Sequence, residues 1–150
     1  MKSKLQHSLS IITTVALLSA CTGVPNGGTV IGGTSPANNP VVKLQSGEWV
    51  VQSINGKAVT TQLSPTLNFG PTFQLTGHTS CNSYFAGYLL SGSSIVLKQA
   101  GATRMACEPA VMEQEQRFLK QLSMTQMWSI DSNAVLTLSG PTGTIVAKRR

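Results

Sequence analysis

Gly77-His78-Thr79-Ser80-Cys81-Asn82-Ser83-Tyr84-Phe85-Ala86-Gly87-Tyr88 is the stretch on which the reading of this chain turns. Turn formers (Gly77, Asn82, Ser83, Gly87) surround one cysteine, and two hydroxylated aromatics, Tyr84 and Tyr88, accompany them. Glycine supplies backbone angles that other residues avoid, and asparagine bonds its own backbone, so the mix suits a tight bend between strands. Cys81 has a counterpart downstream at Cys107, while the third cysteine, Cys21, falls in a processing signal. Where cysteine is this scarce, a pair in the globular part admits three readings: a disulfide, a metal site or a nucleophile.

Outward from this bend the chain reads as short strands. Trp49-Val50-Val51-Gln52-Ser53-Ile54 runs into Asn55-Gly56, the strongest two-residue hairpin signal present. Residues 66–69 alternate, and 72–76 set Phe73 and Leu75 on one face. Further runs cover 84–90, 94–98, 125–130, 134–139 and 144–147, with Asp131-Ser132-Asn133 and Gly140-Pro141 as punctuation. One helix is expected. Glu108-Pro109 makes its start, and Val111, Met112, Phe118, Leu119 and Leu122 then form a stripe at helical spacing. The predicted class is α+β: a curved antiparallel sheet of about seven strands, half-barrel-like, wrapped around one amphipathic helix.

Three motifs in order carry a family resemblance: Gly77 to Tyr88, then Thr103-Arg104-Met105-Ala106-Cys107, then Glu115-Gln116-Arg117-Phe118-Leu119-Lys120-Gln121-Leu122. Together they resemble the META-domain family, the HslJ-like lipoproteins of bacterial envelopes. That pattern runs Gly-x-x-Gly-Cys-Asn-x-Tyr-x-Gly-x-Tyr, Thr-x-x-Ala-Cys, Glu-x-x-Phe-x-x-x-Leu. Gly47-Glu48-Trp49 and Ser53-Ile54-Asn55-Gly56 look like its first strand. The chain departs from the pattern at Ser80, where glycine is usual, and at Gly87, which falls one place late. The likeness spans about residues 45–147 and implies a sheet around a helix, with a role in heat response or novobiocin tolerance.

The N-terminus reads as a signal. Lys2 and Lys4 precede an apolar run from Leu9 to Ala20, too short to span a bilayer, which ends Leu18-Ser19-Ala20-Cys21. This resembles a lipobox, so residues 1–20 are expected to be removed and Cys21 to be lipidated. Several acyl chains, at about 0.8 kcal/mol per buried methylene, would anchor the chain in a membrane. Thr22 rather than Asp after the cysteine fits sorting to the outer membrane, with the domain facing the periplasm. Residues 21–44 are expected to be the lipidated cysteine and a flexible tether, rich in Gly, Pro and Asn, and 45–150 the folded domain.

Removing Lys2 and Lys4 from the formal charge of +6 leaves a small excess, most of it in the terminal Lys148-Arg149-Arg150. That tail reads as a solvated end, and nothing like the basic face of a nucleic-acid binder appears. An exported chain meets an oxidising compartment, which favours a Cys81–Cys107 disulfide, with two buried free thiols as the alternative. A metal would have His78, Cys81 and Cys107 but no fourth ligand, so no metal or other cofactor is expected. The catalytic motifs are missing too: no Gly-x-Ser-x-Gly elbow, phosphate loop or His-Glu-x-x-His. Glu115 shares a helix face with Val111, Phe118 and Leu122 and so should point at the sheet. A buried carboxylate needs a partner, and Arg104, Tyr84 or Tyr88 could serve, with Asn82 in the same polar set. Trp49, Trp128, Met105, Met124 and Met127 are expected in the core. A non-enzymatic envelope protein that binds a protein partner is expected, against a carrier of small apolar ligands or a pilot for an outer-membrane complex.

Overall fold

The computed structural model describes residues 38–98 and 101–150. The expected signal peptide, Cys21 and the tether as far as residue 37 lie outside the described residues. Ten strands follow: β1 (Glu48–Ile54), β2 (Lys57–Ala58), β3 (Thr66–Phe69), β4 (Gln74–His78), β5 (Ser83–Ser91), β6 (Ser94–Leu97), β7 (Gly101–Ala102), β8 (Met127–Ile130), β9 (Val135–Gly140) and β10 (Gly143–Arg149). Two α-helices accompany them, α1 (Pro40–Gln45) and α2 (Pro109–Ser123).

Eight of these strands close a ring in the order β1-β3-β4-β5-β6-β8-β9-β10, with β10 returning to pair β1. β2 and β7 are two-residue attachments to β1 and β5. The expected α+β class holds, but the sheet is a closed barrel of ten strands in all, where about seven in a half-barrel were expected. The closing pair explains the difference. The tail read as a solvated end continues β10, setting Trp49 opposite Arg149 and Ile54 opposite Ile145. Backbone pairing is indifferent to the positive side chains, and neighbours hold two of the three. The Arg149 guanidinium lies 4.8 Å over the Trp49 ring, and Arg150 pairs with Glu48 at 2.6 Å. Closure removes two open edges, and an eight-strand ring is just wide enough for side chains to fill. Trp49, Phe69, Tyr88, Leu136, Leu138 and Ile145 fill it, all but completely buried.

Each mouth of the barrel is covered by a helix. Asn39 caps α1 by accepting from the Val41 amide at 2.9 Å, Pro40 opens its first turn, and Leu44 drops wholly into the core. Packed structure therefore begins ahead of residue 45, inside the segment that composition assigned to the tether. Leu44 is the reason, because one buried leucine docks six otherwise unremarkable residues. At the other mouth α2 begins, as expected, after Glu108 with Pro109 in its first turn.

Local expectations mostly hold along the strands. Asn55 and Gly56 both take positive φ (52° and 74°), which a two-residue hairpin turn of this twist requires. Phe73 differs: it takes φ 58°, precedes β4 rather than joining it, and is half-exposed while Leu75 is buried. Its ring rests edge-on against Tyr88 at 5.6 Å. Both tryptophans are core, but Met105, Met124 and Met127 are exposed. For Met127 the cause is strand alternation: Trp128 points in, so its neighbour points out.

Candidate functional site: a polar knot and an apolar outer wall

The Gly77–Tyr88 stretch forms β4, a tight turn and β5, as the turn formers imply. Gly77 is needed because a Cβ there would sit 2.1 Å from the Thr66 carbonyl oxygen on β3. The turn closes through Thr79 N–H to Asn82 O at 2.7 Å, and Ser80 within it takes φ 114°. That is a conformation glycine adopts freely and L side chains rarely do. The departure from the family pattern at this position is thus a strained one.

Glu115 reaches into this turn from α2 and is buried, as its helical phase implied. Its partners are not the expected ones. Asn82 donates from Nδ2 to Oε1 at 2.9 Å and to Oε2 at 3.1 Å, and its backbone N–H reaches Oε2 at 3.1 Å. The Thr79 hydroxyl also donates to Oε2. Arg104 is exposed and makes none of these bonds. Tyr84 donates instead to the Thr66 carbonyl at 2.9 Å, and burial pushes its hydroxyl well above its ordinary pKa. Tyr88 is at the opposite mouth, donating to Gly70 O and accepting from Gln45 Nε2, both at 2.8 Å. The structure therefore joins Glu115 and Asn82 and separates Arg104, Tyr84 and Tyr88 from them.

Asn82 is the hub of the knot. Its Oδ1 accepts from the Thr103 hydroxyl at 2.8 Å and from the Met105 amide at 2.7 Å. One side chain thus holds the turn, the 103–105 segment and α2 together, with donors and acceptor all engaged. Cys81 and Cys107 tie the same turn to the segment that leads into α2, as a disulfide with Cα atoms 6.1 Å apart. Both sulfurs are committed to that bond, and His78 is exposed beside Ser83, so these three residues do not form a common ligand set. Sequence reasoning missed two members, Gln114 and Gln121. Gln114 Nε2 donates to Leu63 O (3.1 Å) and Ser80 Oγ (2.8 Å), and its Oε1 accepts from Thr60 N–H (2.9 Å). Gln121 Nε2 reaches Gly143 O at 2.9 Å. Their signal was phase: both lie on the arc of Glu115, Phe118 and Leu122.

The barrel's outer wall is different in character. Phe85, Leu89, Val96 and Met127 are 65%, 51%, 59% and 52% exposed. Leu89 and Val96 face each other across β5 and β6, and Phe85 lies four residues back along the same outward row. Met127 sits opposite Ser94 across the next seam. That seam is the thinnest in the ring, with Ser94 and Met127 as its one register pair, flanked by Ile95 N–H to Gln126 O and Trp128 N–H to Ser93 O, both 2.9 Å.

A closed antiparallel barrel plugged by a helix, with a Cys-Asn turn bonded to a helix glutamate, defines the class. The chain belongs to the META domain family, whose model matches residues 42–150. A solution structure determined by NMR is 27% identical, covering 78% of this chain and 96% of its own, with a TM-score of 0.60. A second NMR structure, from Burkholderia xenovorans, is 23% identical over 75% of this chain and 88% of its own, TM-score 0.61. A crystal structure of a DUF4847 family protein from Bacteroides vulgatus shares 15% identity over 69% of this chain and 92% of its own, TM-score 0.51. These last two speak for the fold alone. No curated protein matches the chain.

Proposed function

We propose that this chain is a lipid-anchored periplasmic protein of the outer membrane, HslJ-like, which serves envelope maintenance or stress and antibiotic tolerance by binding a protein partner. The observation that carries partner binding is the outward row Phe85, Leu89, Val96 and Met127 beside the thin β6–β8 seam. Single exposed apolar residues are ordinary, but a row of them on one wall is the signature of a contact surface. The barrel interior is occupied by aromatic and aliphatic side chains, which favours a partner on the outside over an apolar ligand within. The polar knot supports a non-enzymatic reading as well, since the donors and acceptor of the Asn82 side chain are all engaged within the fold.

The test is site-specific photo-crosslinking in intact envelopes, with the probe placed at Leu89, at Val96 or at exposed Gln52 on β1. A discrete adduct from the first two and none from Gln52 is expected, and Leu89→Lys should abolish it while the protein stays folded. Adducts of equal yield from all three positions would remove the reading. Anchoring is tested separately by Cys21→Ser, which should shift the chain out of the detergent phase. Unchanged detergent partitioning would sink the lipoprotein assignment.

A further inference from the structure

We infer that a cleft between the second half of α2 and the β9–β10 hairpin is a binding site for a phosphate group, free or as an ester. Its volume is about 230 Å³, and its lining is Asn55, Arg117, Lys120, Gln121 and Thr142. Drug-sized ligands occupy clefts of roughly 300–1,000 Å³, so this one suits a single small group. The lining presents donors and two positive charges. Its neutral acceptors are already engaged: Asn55 Oδ1 accepts from the Thr144 amide at 2.9 Å, and Gln121 Oε1 accepts from the Thr142 hydroxyl at 3.0 Å. Asn55 Nδ2 is left to donate. No carboxylate lines the cleft, and the one ion pair among the described residues is Arg150 with Glu48.

Arg117 is the decisive residue. Its Nε is buried and meets no hydrogen-bond acceptor in the protein. Glu113, one turn back, is where an i,i+4 partner would stand, yet the two form no ion pair. Helix electrostatics explain Lys120, since a cation in the last turn complements the C-terminal end of the dipole. They do not explain a second cation on the same cleft, Arg117, whose guanidinium forms no ion pair and whose buried Nε has no acceptor in the protein, which leaves its outer nitrogens to meet a ligand. An oxyanion held by the outer Arg117 nitrogens and Lys120 does, because a guanidinium and an ammonium are the groups that hold phosphate oxygens. The inference does not depend on the partner-binding reading.

The experiment is a ¹⁵N-edited NMR titration of the full chain with inorganic phosphate, against chloride and acetate at matched ionic strength. Saturable shifts are expected for Arg117 Nε–H and the Asn55 side-chain amide with phosphate. Arg117→Met and Lys120→Gln should each weaken binding by roughly ten- to a hundredfold, as expected for loss of charged hydrogen bonds. Arg117→Lys, which keeps the charge and drops the fork, should recover part of it. Lys120→Gln lies on the exposed face of α2 and keeps the test open if the Arg117 variants fold poorly. Linear shifts identical to those with chloride, or equal saturation by acetate, would overturn the assignment. Sedimentation with phosphatidylcholine vesicles, with and without phosphatidic acid, separates the sources. Binding that depends on phosphatidic acid and on Arg117 points to a lipid headgroup, and phosphate binding without it points to a free phosphate or soluble ester.

Discussion

The two mouths of the barrel are closed by opposite chemistries. At the α1 mouth the cover is mainly apolar and aromatic, with Gln45 to the Tyr88 hydroxyl as its polar link: Leu44 is buried beneath Trp49, whose Nε1 donates to Leu44 O at 2.8 Å, and Phe69 meets Tyr88 edge-on at 5.2 Å. At the α2 mouth, three of the five buried helix residues are polar (Gln114, Glu115 and Gln121). The reason is what each helix faces. α1 meets the Trp49 and Tyr88 side chains, whereas α2 lies against turns whose backbone groups at Thr60, Leu63, Asn82 and Gly143 are paired by its side chains. Buried backbone groups need partners, so a helix covering turns must bring side chains that donate and accept. One cover thus rests mainly on area and shape, and the other on pairing.

The largest test of this contrast is at the apolar mouth. Trp49→Ala removes a fully buried ring, the Leu44 hydrogen bond and the surface under Arg149. A loss of about 3–5 kcal/mol is expected in urea unfolding. Amide exchange should rise through α1 and the β1–β10 seam while α2 stays protected. Uniform loosening of both mouths would show that the covers are not separate.

Next is the brace at the polar mouth. Reducing Cys81–Cys107, or replacing both with serine, should lower stability by about 3–4 kcal/mol, the chain-entropy value for a loop of this length. The disulfide-bonded chain should resist alkylation until it is reduced. Because Asn82 ties the same elements without the bond, the reduced chain should remain folded at low denaturant. Collapse on reduction alone would rank the disulfide above the hydrogen-bonded knot.

How much of this was legible depended on range. β3 and the start of α2 followed from local periodicity, capping and turn chemistry, and Glu115 was set inward by helical phase alone. Barrel closure was not legible, because it rests on pairing Trp49 with Arg149 across the whole domain, through a strand whose end is three cations. β2 and β7 are two residues each, too short to show a period. α1 has six residues, and helices that short form only when docked, here by Leu44. The partner of Glu115 was misjudged for a physical reason: a countercharge or a phenol was sought, when an asparagine in the turn brings side-chain and backbone donors together. Asn82 belonged to the same polar set, and its role as a two-sided hub was the part that no spacing encodes.

A smaller effect sharpens the pairing side of the comparison. Glu115→Ala removes the carboxylate that Asn82 Nδ2 and the Thr79 hydroxyl share, leaving them the Met105 carbonyl at 3.3 Å and the Asn82 carbonyl at 3.0 Å, and should cost about 1–3 kcal/mol. Glu115→Gln should cost a similar amount, because one of its two oxygens becomes an NH₂ facing donors. Glu113→Ala, on the exposed face, should shift the urea midpoint little. Equal effects at 113 and 115 would mean that the knot contributes nothing to stability.

The smallest and most specific test is Ser80, where strain and pairing act on one residue. At φ 114° a serine is held in a region that costs about 1–3 kcal/mol for an L side chain, and glycine relieves it. Against this, glycine loses the bond that Ser80 Oγ accepts from Gln114 Nε2, worth about 0.5–1.5 kcal/mol, and makes the unfolded chain freer. Gln114 keeps its bond to Leu63 O, so it is not stranded. Ser80→Gly should therefore lie close to the parent, while Ser80→Ala, which keeps the strain and loses the same bond, should be clearly less stable. The gap between the two variants, about 1 kcal/mol in paired urea melts, measures the strain less the unfolded-chain freedom that glycine adds, because both lack the hydroxyl. If alanine and glycine prove equal, the strain is no larger than the chain freedom that glycine adds, and φ gives the glycine of the family pattern no net advantage.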